Sequence, residues 1–172
     1  RVLGTAVPFS GEYGISKNPE SFASQAYRAY FSDSARGVIL RLSKDGLTPI
    51  SDHGLKDFFA DKLRNSSKII GSCDTNKEAY NVTLVGPDKT VSFGERINGW
   101  TSFKSFMQEG GVSLNNEYFT FKHGNIYKHH GGGNTATFYG TRQNPYVDVL
   151  LNQSPGSVNS FGSLNYEGSQ AK

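Results

Sequence analysis

Three of the four histidines in this 172-residue chain, His123, His129 and His130, crowd into one short stretch. Histidine binds metals and moves protons near neutral pH, so this stretch is the first place to look for chemistry. The spacing argues against it. His129 and His130 are adjacent, and neighbours on a strand point to opposite faces, so they cannot simply share one ion. No cysteine or second histidine pair stands at zinc spacing. All three are expected as solvent-facing loop residues, with no metal and no cofactor. The single cysteine, Cys73, excludes an internal disulfide framework. In the strand-like context KIIGSCD it reads as a small half-buried side chain rather than a nucleophile.

Other catalytic patterns fail on spacing. Gly71-Ser72-Cys73 and Gly156-Ser157-Val158 lack the second glycine of a nucleophile elbow. Gly131-Gly132-Gly133 is not followed by the lysine and hydroxyl of a phosphate-cradling helix start. Asp57 and Asp61 share one helix face and read as a solvated charged surface, not an acid–base pair. Asn65, Asn81 and Asn152 sit in glycosylation sequons that are read as chance matches. A non-enzyme is therefore expected. The remaining candidates are aromatic: Trp100, Tyr118, Phe119 and Tyr127, in GWTSFKSF and EYFTFKHGNIYK, suit contact with a partner or stacking on a glycan. Packing in a core or interface is the competing use of such rings, and it is favoured here.

Charge narrows the partners. Lys and Arg number 18 against 15 Asp and Glu, and the signs are interspersed without a basic run, so no specific nucleic-acid footprint is predicted. No stretch approaches ~18 apolar residues, so no membrane helix is predicted, and Arg1 to Gly11 has no long apolar core of the kind a secretion signal carries. Tyr and Phe supply 21 residues beside 20 glycines, a balance that favours strands and turns over helix bundles.

The elements that would position these residues centre on Tyr27 to Ser51. It reads as a three-stranded meander, with Val38 to Ser43 alternating and an Asp45-Gly46 turn, a strong hairpin signal. Gly46 is expected at positive φ. One short helical turn is expected after Pro19. One amphipathic helix is expected near residues 54–65, where Leu55, Phe58, Phe59 and Leu63 form a stripe capped by Ser51 or Asp52. Lys68 to Cys73, Tyr80 to Val85 and Thr90 to Phe93 follow as strands. From Ile97 onward charge thins and Gly and Asn accumulate, so the chain divides into residues 1–96 and 97–172. In the second region a bend is expected between Phe103 and Phe106. Strands are expected at Glu117 to Lys122, Asn125 to His129 and Pro145 to Leu151, with Val158 to Tyr166 pairing back. No exact sequence repeat is evident. One strand every eight to twelve residues points to a mainly β fold of antiparallel meanders, propeller-like or sandwich, with one helix.

Five segments carry a likeness: NPESFAS (18–24), AYFSDSARGVILRLSKDGLTPIS (29–51), GWTSFKSF (99–106), NNEYFTFKHGNIYKHH (115–130) and VLLNQSPGSVNSFGSLNYEGSQ (149–170). Together they resemble the virion structural proteins of large tailed bacteriophages, most of all those of phages of marine cyanobacteria, with related stretches in tail-associated proteins of gut crAss-like phages. The resemblance implies a non-enzymatic, propeller-like, tail-associated component located in the virion. Its partners would be other virion proteins or further copies of itself. Family members are much longer, so the chain is expected to be part of a longer polypeptide. Two other readings compete. One is a carbohydrate-binding module of the virion that recognises a host-surface glycan through Trp100, Tyr118, Phe119 or Tyr127. The other is a secreted propeller hydrolase, disfavoured by the missing acid pair.

Overall fold

The computed structural model describes residues 11–15, 17–149, 156–163 and 165. The fold is mainly β, built from several antiparallel sheets of which none closes into a barrel. The first sheet is a meander of β1 (Ala23–Gln25), β2 (Arg28–Asp33), β3 (Val38–Ser43) and β4 (Gly46–Pro49). The second repeats that order with β5 (Lys68–Asp74), β6 (Ala79–Val85), β7 (Lys89–Gly94) and β8 (Gly99–Lys104). The third has β9 (Gly110–Leu114), β10 (Glu117–Lys122) and β11 (Asn125–Lys128), and a hairpin of β12 (Thr137–Phe138) and β13 (Thr141–Arg142) follows. The compositional shift at Ile97 falls inside the second sheet, between β7 and β8.

Turn chemistry sets these registers. Gly46 has φ +104° and lets β3 fold directly onto β4, with Ser43 opposite Gly46. Gly37 meets a different demand. Its φ is +71°, and a Cβ there would lie 2.7 Å from the Cα of Ala60, so the β2–β3 turn accepts the helix only with glycine at this position.

The one α-helix among the described residues, α1 (Lys56–Lys62), is shorter than the stripe from 54 to 65 suggests, and neither Ser51 nor Asp52 caps it. Those two residues belong to a separate 3₁₀ turn, Ile50–Asp52, in which Ser51 is buried. Leu55 stands at the helix N-cap with no side-chain cap, its carbonyl accepting from the Phe59 amide at 3.0 Å. The stripe still does its packing work. Phe59 and Leu63 are fully buried with Ile39, Ile50, Ile69, Val82, Leu84 and Phe93, between the first two sheets, while Phe58 is only half-buried. A second short turn, Pro19–Ser21, starts at proline as expected.

One expectation is met and one corrected. The chain bends at Ser105, between Phe103 and Phe106, where β8 ends at Lys104, and a separate register shift lies at Ser92/Phe93. Residues 145–149 form no strand and are exposed, with no pairing strand among the described residues, and residues 158–163, expected to pair back on them, form none either. Leu150 and Leu151, and Leu164 and Tyr166 of the returning strand, lie outside the described residues.

Candidate functional site

The surfaces where successive sheets meet hold several buried polar groups of the fold. β5 packs between β1 and β9, so the first strands of the three sheets lie side by side. The joint between sheets is built twice with the same parts. Tyr80 and Tyr118 each sit second in the second strand of their sheet and are almost completely buried. Tyr80 lies opposite Cys73 on one side and Phe93 on the other. Tyr118 lies opposite Ser113, and its carbonyl accepts from the His129 amide at 2.8 Å. Each hydroxyl reaches back into the preceding layer: Tyr80 donates to the Ser21 carbonyl at 2.7 Å, and Tyr118 lies 2.6 Å from the Ser72 hydroxyl. Two residues before each tyrosine's partner stands a glycine at a close approach. A Cβ at Gly71 would meet the Ser21 carbonyl oxygen at 2.0 Å, and one at Gly111 would meet Ser72 Cβ at 2.8 Å.

The first joint adds an ionic clamp. Tyr30 stacks on Tyr80 with ring centroids 4.8 Å apart. Its hydroxyl donates to Glu95 at 2.5 Å, and the same carboxylate receives Arg28 at 3.2 Å and Arg41 at 3.2 Å. Burial, reinforced by Glu95, pushes the Tyr30 phenol well above its usual range. Burial likewise raises the Cys73 thiol to about 12, with Glu95 and Asp74 adding to it, so Cys73 is held protonated and unreactive.

The second joint is polar. Ser72 donates to Gln108 Oε1 at 2.7 Å, and Gln108 Nε2 donates to the Ile70 carbonyl at 3.3 Å. Thr90 donates to the Phe106 carbonyl at 2.6 Å. Asp74, almost fully buried, accepts from the amides of Asn76 and Lys77 through one oxygen and meets His130 Nε2 at 2.6 Å through the other. His129 is not a solvent-facing loop residue. It is half-buried between Phe106 and Tyr118, with Nε2 2.7 Å from the Thr120 hydroxyl, which also lies 2.9 Å from Tyr139. Burial, with positive charge on His130 and Lys104, lowers its pKa to about 4. His123 is exposed on its turn, as the sequence suggests.

Among the described residues the hydrogen-bonded ring nitrogens of His129 and His130 are engaged with Thr120 and Asp74, not with Ser72 or Cys73. Among the described residues no three of His, Cys, Asp and Glu are placed to hold a metal ion, and no helix is long and apolar enough to cross a membrane. A depression beside Trp100, Leu55 and Phe103 measures about 230 Å³, below the ~300–1,000 Å³ of ordinary ligand pockets, and a second one between Lys17, Ser34 and Arg64 measures about 390 Å³, near the lower end of that range.

The four aromatic candidates separate. The Trp100 indole donates to the Ile50 carbonyl at 3.0 Å and lies against Phe59 and Phe93, so it is a core residue with one open side. Tyr118 belongs to the second joint. Tyr127 is half-buried against Tyr139. Only Phe119 lies on the outer face of the third sheet. There it joins Val112, Leu114, Phe121 and Ile126, since Phe119 pairs with Val112 and Phe121 with Ile126. Exposures of 48% for Val112, 66% for Leu114, 37% for Phe121 and 67% for Ile126 leave the apolar part of this face, which also carries the Glu117–Lys128 ion pair, without a cover among the described residues. Val112 stands one residue before Ser113 as Ser72 stands before Cys73, so this face is where a third joint would form.

Sequence reasoning missed Glu95, Gln108 and the two joint glycines. A signal existed in Gly71-Ser72-Cys73 and Gly111-Val112-Ser113, each a glycine two ahead of a small residue and each followed by a buried tyrosine. No known family matches the chain, and no curated protein is significantly similar to it.

Proposed function

We propose that this chain is a non-enzymatic structural module of a tailed-phage virion, tail-associated, built from successive blades of a β-propeller-like array and acting through protein–protein contacts. The observation that carries this reading is the uncovered outer face of the third sheet. The corresponding face of the second sheet is buried by the third through Tyr118, Gln108 and Phe106. The third sheet presents Val112, Leu114, Phe119, Phe121 and Ile126 in the same position, a row of apolar side chains beside the Glu117–Lys128 ion pair, of the kind that marks an interaction surface. The meander order of the first two sheets and the side-by-side first strands support the propeller-like arrangement. The resemblance of the five segments to phage virion proteins supplies the setting.

Mass spectrometry of tail fractions from disrupted virions tests the reading. Peptides of this chain are expected there, with residues 112–126 protected from solvent labelling in the particle and reactive in the isolated chain. Absence from the tail fractions, together with glycan binding by a monodisperse isolated chain, would replace this reading with the carbohydrate-binding one. Phe103, 51% exposed beside Trp100, would then be the ring to examine.

A further inference from the structure

The third sheet stops one strand short of its predecessors. In the first two sheets the third strand is covered by a fourth, β4 on β3 and β8 on β7. In the third, β11 is the edge. The His129 amide donates to the Tyr118 carbonyl on β10, and Tyr127 pairs with Thr120. Antiparallel strands alternate the direction of their backbone groups, so Ile126 and Lys128 turn their N–H and C=O groups to the open side. Neither has a backbone partner there among the described residues. Such a row of unpaired groups is a template for another strand.

The same chain carries a segment suited to that place. Residues 145–149, Pro-Tyr-Val-Asp-Val, are exposed and unpaired, with Tyr146 at 80%, Val147 at 85% and Val149 at 68%. Val147 and Val149 alternate with Asp148, as a strand with one apolar face requires. The segment does not lie on its own β11. The chain first passes through the β12–β13 hairpin, closed by the Gln143 amide on the Ala136 carbonyl and anchored to the Thr120 side of the sheet through Phe138 and Tyr139.

We propose that residues 145–149 of one copy add as a fourth, antiparallel strand to β11 of a second copy. Val147 and Val149 would fall on the Ile126 side and extend the apolar face. Strand addition of this kind takes its affinity from main-chain hydrogen bonds and its register from alternate side chains. Each chain then offers one donor and one acceptor at different places, a heterologous contact that propagates into open assemblies. The inference deepens the structural-module reading and rests on it.

Two variants test it. Val147→Pro with Val149→Pro removes the donor strand's hydrogen bonding but leaves β11 intact. Lys128→Pro blocks the acceptor edge at an amide that bonds nothing within its own sheet, a position where a strand tolerates proline. Wild-type chain is expected to self-associate in light scattering, and each variant alone to be monomeric. An equimolar mixture of the two should form a heterodimer and go no further, which also shows that both fold. In the wild-type assembly the Ile126 and Lys128 amides should exchange slowly. A wild-type monomer in which those amides are already protected would mean the segment pairs with its own β11, and would overturn the proposal. A wild-type monomer with unprotected amides would overturn it too. Association that survives in both variants would place the contact elsewhere, refuting strand addition while leaving the structural-module reading intact.

Discussion

Gly71→Ala should break the first joint. A Cβ at this position would lie 2.0 Å from the Ser21 carbonyl oxygen, 2.7 Å from its carbon and 2.8 Å from the Tyr80 hydroxyl. The two nearest atoms are backbone and cannot swing aside as a side-chain tip can. Either β5 or the Pro19–Ser21 turn must therefore move by an ångström or more. Overpacking of this sort costs roughly 1–3 kcal/mol. Moving the Ser21 carbonyl also strains the buried hydrogen bond from Tyr80, and losing a buried partner costs about 1–3 kcal/mol more. Alanine is the better strand residue and returns roughly 0.5–1 kcal/mol. The net expectation is a loss of about 1–5 kcal/mol, a sizeable part of the ~5–15 kcal/mol that stabilises an ordinary domain. Urea unfolding followed by tryptophan fluorescence reads it out, because Trp100 lies in the core served by this joint. Gly46→Ala is the control: φ is +104° but nothing lies within 4 Å, so only the local backbone penalty of roughly 1 kcal/mol should appear. Tyr80→Phe should partly relieve the Gly71→Ala clash, making the double variant less than additive. A Gly71→Ala protein within ~0.5 kcal/mol of wild type, the range of neutral surface changes, would refute the close approach and with it the repeated joint.

Two further outcomes follow from the core and the second joint. Phe59→Ala, at a fully buried site against Trp100, should cost roughly 3–5 kcal/mol, and Phe58→Ala clearly less because Phe58 is half-exposed; equal losses in denaturant titrations would contradict this packing. For His129 the folded pKa of about 4 lies below the ordinary histidine value of about 6.5, so the unfolded chain takes up the proton first. Stability should then be complete above about pH 6.5 and fall towards about pH 4, by about 1–2 kcal/mol once solvent screening of a half-buried ring is allowed for. His129→Phe should flatten that part of the profile of unfolding free energy against pH, and an unchanged slope would show that the ring is not held neutral by the fold.

What the chain's order of residues determined by itself was local. The Asp45-Gly46 turn and its positive φ, the strand Val38–Ser43, the strand Glu117–Lys122 and the proline-led turn at Pro19 all follow from turn chemistry and a period of two, which act between near neighbours. So did the mainly β character with one helix. The helix itself came out shorter, starting after Leu55, while Ser51 and Asp52 belong to a separate 3₁₀ turn in which Ile50 and Ser51 are buried. Which aromatic rings became core was decided by the tertiary structure. For Trp100 the sequence leaves a stacking platform open beside the favoured core packing, and the hydrogen bond from its indole to the Ile50 carbonyl, fifty residues away, decides for the core. His129 looks like a loop residue until the β12–β13 hairpin brings Phe138 and Tyr139 against it. The repeated joint shows the same division. Its glycines and tyrosines are visible in the sequence, but the turn between first and second strand differs in length from sheet to sheet and hides their common register. The Ser21 carbonyl that makes Gly71 indispensable lies far from it along the chain. Close approach between backbones depends on how whole sheets pack, and alternation and turn signals carry no information about that distance.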